Sequence, residues 1–193
     1  MKKIHIAQTG YIIISFAFYF AAALYLFCPT PPPFAFSIFS GVTLLAYGII
    51  KLVGYFSEDL FCLAFRYDLG FGLLLLAVGA IILIRHTGDI SYLPSGIGWL
   101  SVLDSVLKIQ MSEEAKKFGL EQWNIISTTA GITIVLGFIL VLKATAKPES
   151  THILTAAVLL ATGIMNHCVV KFAVKHPNHQ KRLSHYHQNT NDQ

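Results

Sequence analysis

Asp104 and Lys108 stand four apart in the run SVLDSVLKIQ, an acid followed by a base inside a stretch that otherwise reads as hydrocarbon-spanning. An ionisable side chain at that depth costs roughly 2.5–3.5 kcal/mol or more, so it needs a reason. Gly98, Ser101, Asp104, Ser105 and Lys108 fall at i, i+3, i+6, i+7 and i+10, on one face of a helix, with Trp99, Leu103, Val106 and Leu107 opposite. Corresponding places elsewhere in the chain hold Tyr47 and Lys51, then Thr162 and Asn166. If these six positions converge, they form a polar, protonatable cluster inside a membrane, able to relay a proton or to contact a small ion or a lipid headgroup. A structural reading competes with it. Acid-first i,i+4 pairing stabilises the helix locally, and Lys51 and Lys108 lie near enough to a span end to snorkel. Both readings stay open on the sequence.

The remaining polar residues have bland explanations. His167, beside Asn166, reads as a hydrogen-bonded packing residue. Arg85, His86 and Asp89 fall in a short connection where solvated charge is ordinary. His176, His179, His185 and His187 lie in a polar tail expected to be disordered, without the fixed ligands a metal site needs. Cys28, Cys62 and Cys168 are spread over two connections and a span, with no C-x-x-C spacing, and read as small apolar residues. No cofactor or metal is expected. No nucleophile and base converge in the pattern, so an enzyme is not expected either.

The elements that must carry the stripe follow from composition. Hydrophobic residues make up 54% of the 193-residue chain and charged residues 12%, about half the charge of a soluble domain. A span needs about 20 mostly apolar residues. Six runs qualify: Tyr11–Phe27, Phe34–Phe56, Leu69–Ile84, Ile90–Ile109, Ile125–Leu142 and His152–Val174. Each should be helical, because lipid offers no partner for a free backbone amide. The first run, after Lys2 and Lys3 and containing Ala21 to Ala23, also fits a cleavable signal peptide. Its place in the repeat below favours a retained span.

Lys2, Lys3, Lys51, Arg66, Lys108, Lys116, Lys117, Lys171, Lys175, Lys181 and Arg182 fall on one side of such a six-span chain, and Arg85, Lys143 and Lys147 on the other. That asymmetry predicts a cytoplasmic N-terminus and C-terminus. The net charge of +4 is then a topology signal with a weak attraction to anionic lipid. Nucleic acid is not an expected partner. The segments Ser57–Leu69 and Met111–Trp123 should rest at the membrane interface, with Trp123 at headgroup level. Membrane lipid is the expected partner; a protein partner or homo-oligomer is compatible with the sequence but unidentified.

Small residues repeat at a displacement of 57 or 58. Gly72 and Gly79 in the third run answer Ala130 and Gly137 in the fifth and, for the second of each pair, Ala21 in the first. Gly41 and Gly48 answer Gly98 and Ser105, then Ala156 and Gly163. Such stripes let helices approach closely where apolar burial drives little association. The expected fold is all-α: an integral membrane bundle of six transmembrane helices arranged as three tandem parallel helical hairpins. The repeat units are about 9–66, 67–124 and 125–175, within a membrane domain 1–175 followed by the histidine-rich tail 176–193.

The run WLSVLDSVLKIQMSEEAKKFGLEQWNIISTTAGITIVLGFILV, with FSGVTLLAYGIIKLVGYF and GLLLLAVGAIILI, resembles the HdeD family of small bacterial membrane proteins. The resemblance reaches to about Lys175 and is carried by small residues, apolar runs and the segment after the fourth span. It implies a non-enzymatic six-span protein of the bacterial cytoplasmic (inner) membrane, associated with acid or envelope stress. The family supplies no catalytic residues to carry over. The aromatic first span, the CPTPPP connection and the histidine-rich tail depart from it. A small transporter or proton-conducting protein using the stripe around Asp104 is the alternative.

Overall fold

The computed structural model describes residues 2–27, 33–56, 68–85, 92–117, 122–146 and 151–173. Among these the chain is all-helical: α1 (Lys2–Phe27), α2 (Pro33–Tyr55), α3 (Asp68–Ile84), α4 (Leu93–Lys117), α5 (Trp123–Ala146) and α6 (His152–Ala173). Pro33 opens α2 and Pro94 stands in the first turn of α4, where a missing amide proton costs nothing because no intrahelical acceptor is available. Four helices contain stretches long and apolar enough to cross a membrane: Thr9–Phe27, Phe36–Tyr55, Trp123–Ala144 and His152–Phe172. The 17 residues of α3 are apolar but reach only about 26 Å. The 25 residues of α4 carry the charges.

The bundle is inside-out relative to a water-soluble domain. Phe16, Phe20, Ile81, Trp99, Phe138 and Leu142 are each half or more exposed, while Ser15, Lys51, Asp104, Ser105, Thr133, Thr155 and Asn166 are almost wholly enclosed. In water so much exposed apolar surface would drive aggregation; against lipid it is the matched solvent.

Helix pairing explains where the small residues sit. The most extensive contacts are α2 with α3, α4 with α5 and α1 with α6. A Cβ on Gly48 would come 2.8 Å from the Gly72 carbonyl oxygen, and one on Gly79 3.0 Å from that of Gly41. Gly98 and Gly137 approach each other likewise, at 2.9 and 3.0 Å, and Gly163 faces Tyr19 and the carbonyl of Ser15. These are backbone-to-backbone crossings at which any side chain forces the helices apart.

The fourth run and the first part of the segment expected to lead on from it as an interfacial helix form one element: α4 runs unbroken to Lys117. Its buried face continues through Lys108, Met111, Ser112 and Ala115 at helical spacing, and no glycine or proline follows Gly98 in it. Lys116 ends over the Trp123 ring, 4.3 Å from its centre, which ties the end of α4 to the start of α5. Cys28, Cys62, Arg66, His86, Asp89, Lys147, most of the Ser57–Leu69 segment and the tail 176–193 lie outside the described residues.

Candidate functional site

Three helices deliver the polar stripe to one place. Tyr47 and Lys51 come from α2, Asp104 and Lys108 from α4, Asn166 from α6, each one turn apart on its helix where there are two. The Lys108 ammonium sits 2.5 Å from Asp104 Oδ2 and donates also to Asn166 Oδ1. The Tyr47 hydroxyl lies 2.9 Å from Asp104 Oδ2 and 3.0 Å from Asn166 Oδ1, so its single proton serves one of them at a time. Lys108 and Tyr47 both donate toward Asn166, which fixes the amide with its oxygen facing them. Asn166 Nδ2 then has no hydrogen-bond partner among the described residues.

The lysines do not snorkel. Lys51 is 1% exposed and Lys108 5%, so the expectation that they reach the span end is overturned. Each is held inward by a carboxylate 2.5 Å from its ammonium. Lys51 pairs with Asp68 at 2.5 Å and lies 3.1 Å from Asp104 Oδ1, so Asp104 is shared by both lysines. The Lys51 ammonium also stands over the rings of Tyr11, Tyr47 and Phe71, 5.0–5.5 Å from their centres, an aromatic cage that supplies cation–π attraction.

Asp68 and Tyr11 complete the network and were missed by the sequence reading, which placed Asp68 in an interfacial segment. Asp68 is the first residue of α3, 5% exposed, and accepts from both Lys51 and Tyr11. The signal was present: Asp68 follows Tyr11 by 57 residues, as Asp104 follows Tyr47 by 57. Thr162, the sixth candidate, stays outside the ionic network, its hydroxyl donating to the Val158 carbonyl and lying 3.2 Å from Ser101 Oγ. Ser105 donates to the Ser101 carbonyl and lies against Met165. Gly41, Gly48, Gly72, Gly79, Gly98, Gly137 and Gly163 sit at the helix crossings and not in the cluster.

Two lysines and two aspartates sum to zero charge. Removing one member of such a set leaves an uncompensated buried charge, which costs about 3–5 kcal/mol, whereas the intact set gains little over well-packed apolar residues. A chamber of about 40 Å³ abuts it, with Tyr47, Ser101, Asp104 and Thr162 among its lining. That is more than the roughly 10–15 Å³ a water needs, and four polar side chains can receive one. Among the described residues no group of three or more His, Cys, Asp or Glu is arranged to hold a metal ion.

No family model, curated protein or solved structure matches the chain. The site is read from its own geometry.

Proposed function

We propose that this chain is a non-enzymatic multi-pass protein of the HdeD type, in the bacterial cytoplasmic membrane with both termini cytoplasmic, acting as an accessory component in acid or envelope stress. All six helices cross, as three tandem parallel hairpins; α3 is short enough to require local thinning of the bilayer or tilt of its neighbours. The observation that carries the non-conducting part of this reading is the pairing of all four buried charges. Lys51, Asp68, Asp104 and Lys108 neutralise one another within the bundle, so among the described residues no unpaired buried charge awaits a transported ion. The lysines and aspartates fix which helices meet and in what register, a specificity that a uniformly apolar interior lacks.

One observation favours a second reading, a small transporter or proton-conducting protein. The 40 Å³ chamber ends on Asp104, and a water there would begin a relay through Tyr47 to Lys108. Pure protein reconstituted into liposomes and given a pH jump separates the two. The accessory reading expects no proton flux above empty liposomes; a flux that disappears in Asp104→Asn overturns it in favour of conduction. For topology, reporters fused after Pro33 and after Lys147 should both appear outside, and a cytoplasmic signal from either rejects the six-span arrangement.

A further inference from the structure

The small chamber at Asp104 adjoins a larger one. A cavity of about 210 Å³ occupies the half of the bundle away from the start of α1, lined by Tyr25, Phe36, Ile82, Leu93, Gly96 and other side chains of α1, α2, α3, α4 and α6. Phe18, Leu44, Ile97, Leu100 and Leu159 line both chambers, so only this apolar collar stands between them. The larger one has a side exit. α1 packs against α2 and α5 against α6, but among the described residues α3 and α4 barely touch. Val78 and Ile81 on α3, Gly96 on α4 and Tyr92 just before it border the gap, and Ile81 and Tyr92 present much of their surface outward. A molecule dissolved in the bilayer reaches the chamber without passing through water.

Size and chemistry select the occupant. An apolar cavity of about 150 Å³ is enough to hold benzene, so 210 Å³ takes a longer hydrocarbon segment with the rest of the chain trailing between α3 and α4. At the inner end, Asp104 Oδ1 is enclosed and paired with the Lys51 ammonium at 3.1 Å, while Oδ2 faces Lys108 and Tyr47. An ionised carboxylate has about four lone-pair sites, so one further donor is accommodated there. An added charge is not, because Lys51, Asp68, Asp104 and Lys108 already sum to zero and a fifth charge would stand unpaired in a buried site. A phosphate or a choline headgroup would bring such a charge. What remains is a small neutral hydroxyl.

We propose that the linked chambers bind a long-chain alcohol drawn sideways from the membrane, its hydrocarbon tail between α3 and α4 and its hydroxyl among Tyr47, Ser101, Asp104 and Thr162. The proposal rests on the membrane reading but not on whether the protein conducts protons. A failure here leaves the flux and topology results unchanged.

Gly96 supplies the test, because a Cβ built on it meets nothing within 4 Å, so a larger side chain enters the chamber without displacing backbone. The full chain in lipid nanodiscs is photolabelled with hexadecanol carrying a diazirine near the middle of its tail, and labelled peptides are mapped by mass spectrometry. Saturable labelling should concentrate on residues 78–82 and 92–100, with unlabelled hexadecanol competing at least tenfold better than palmitate or lysophosphatidylcholine. Gly96→Leu should cut it at least tenfold while elution and helical circular dichroism stay unchanged. Thr162→Val, which removes a hydroxyl and little volume, should weaken competition by hexadecanol about threefold. Labelling spread evenly over lipid-facing helices, equal competition by palmitate, or no loss in a folded Gly96→Leu protein overturns the proposal.

Discussion

Toward the end of the bundle where α1 begins, Tyr11, Lys51, Asp68, Asp104, Lys108 and Asn166 are packed so that none is more than 5% exposed. Toward the other end, Tyr25, Phe36, Ile82 and Leu93 are as well buried but surround a 210 Å³ chamber. Both halves are lined by the same five helices, α1, α2, α3, α4 and α6, so helix number does not set the difference. Charge does. Long lysine side chains fill space along their stems and draw aspartates from two neighbouring helices onto one point, closing the bundle around them. Aromatic and aliphatic side chains in the other half have no directional partner, and in lipid their burial against one another gains little over contact with acyl chains. A neutral ionic network closes a membrane bundle; apolar lining alone permits a hollow one.

The largest effect should come from breaking the closed half at its shared residue. Asp104→Asn leaves Lys51 and Lys108 with only Asp68 between them, and a loss of about 3–5 kcal/mol in unfolding free energy in detergent is expected. Asp68→Asn should cost less, since Asp68 pairs with Lys51 alone. Combining Asp104→Asn with Lys108→Met restores neutrality and should recover most of the loss. A double variant no more stable than the single would mean that the four charges are not one unit.

Next, Tyr47→Phe removes the hydroxyl that serves Asp104 and Asn166 while keeping the ring over Lys51. A hydrogen bond to a carboxylate contributes about 1.5–3 kcal/mol, so a loss in that range is expected by the same unfolding measurement. Phe18→Leu, on the collar between the chambers, should cost no more than a conservative volume change. If Tyr47→Phe proves as mild, the network contributes packing and little else.

How much of this was legible in the sequence depends on which interaction had a local signature. The helical class and the stripe on α4 rest on spacing within one helix, and Tyr47, Lys51, Asp104, Lys108 and Asn166 are brought together in space. Asp68 was misplaced because it stands at the first residue of its helix, at the end of the mixed run SEDLFCLAFRYD with its other charges and polar groups, where an acid usually faces water. Only its 57-residue offset from Tyr11 distinguished it. Snorkelling was expected for Lys51 and Lys108 because distance to the span end can be counted along the chain, whereas the position of a carboxylate on another helix cannot. The gap between α3 and α4 has no signature at all. Whether two apolar helices touch depends on their whole shapes, and both look equally able to pack.

A third substitution compares the halves through helix crossing. Gly48→Ala on α2 places a methyl 2.8 Å from the Gly72 carbonyl, which is backbone and cannot turn aside. The two helices must separate along their length, at a cost toward the lower end of about 1–3 kcal/mol because only one methyl is added. Gly72→Ala, from the opposite side of the same crossing, should behave alike, its Cβ coming 3.1 Å from the Gly48 carbonyl.

The smallest effect, and the one that sharpens the contrast most, is the same glycine-to-alanine change at Gly96. There the new methyl points into open space at the edge of the larger chamber. Nothing has to move, and alanine is favoured over glycine within a helix by about 1 kcal/mol. Gly96→Ala should therefore leave stability unchanged or raise it by up to that amount, in the assay where Gly48→Ala lowers it. Opposite signs from one chemical change would locate the hollow half without any ligand. A loss at Gly96 comparable to that at Gly48 would mean instead that α3 and α4 close against each other in the membrane, and that the two halves of the bundle are packed alike.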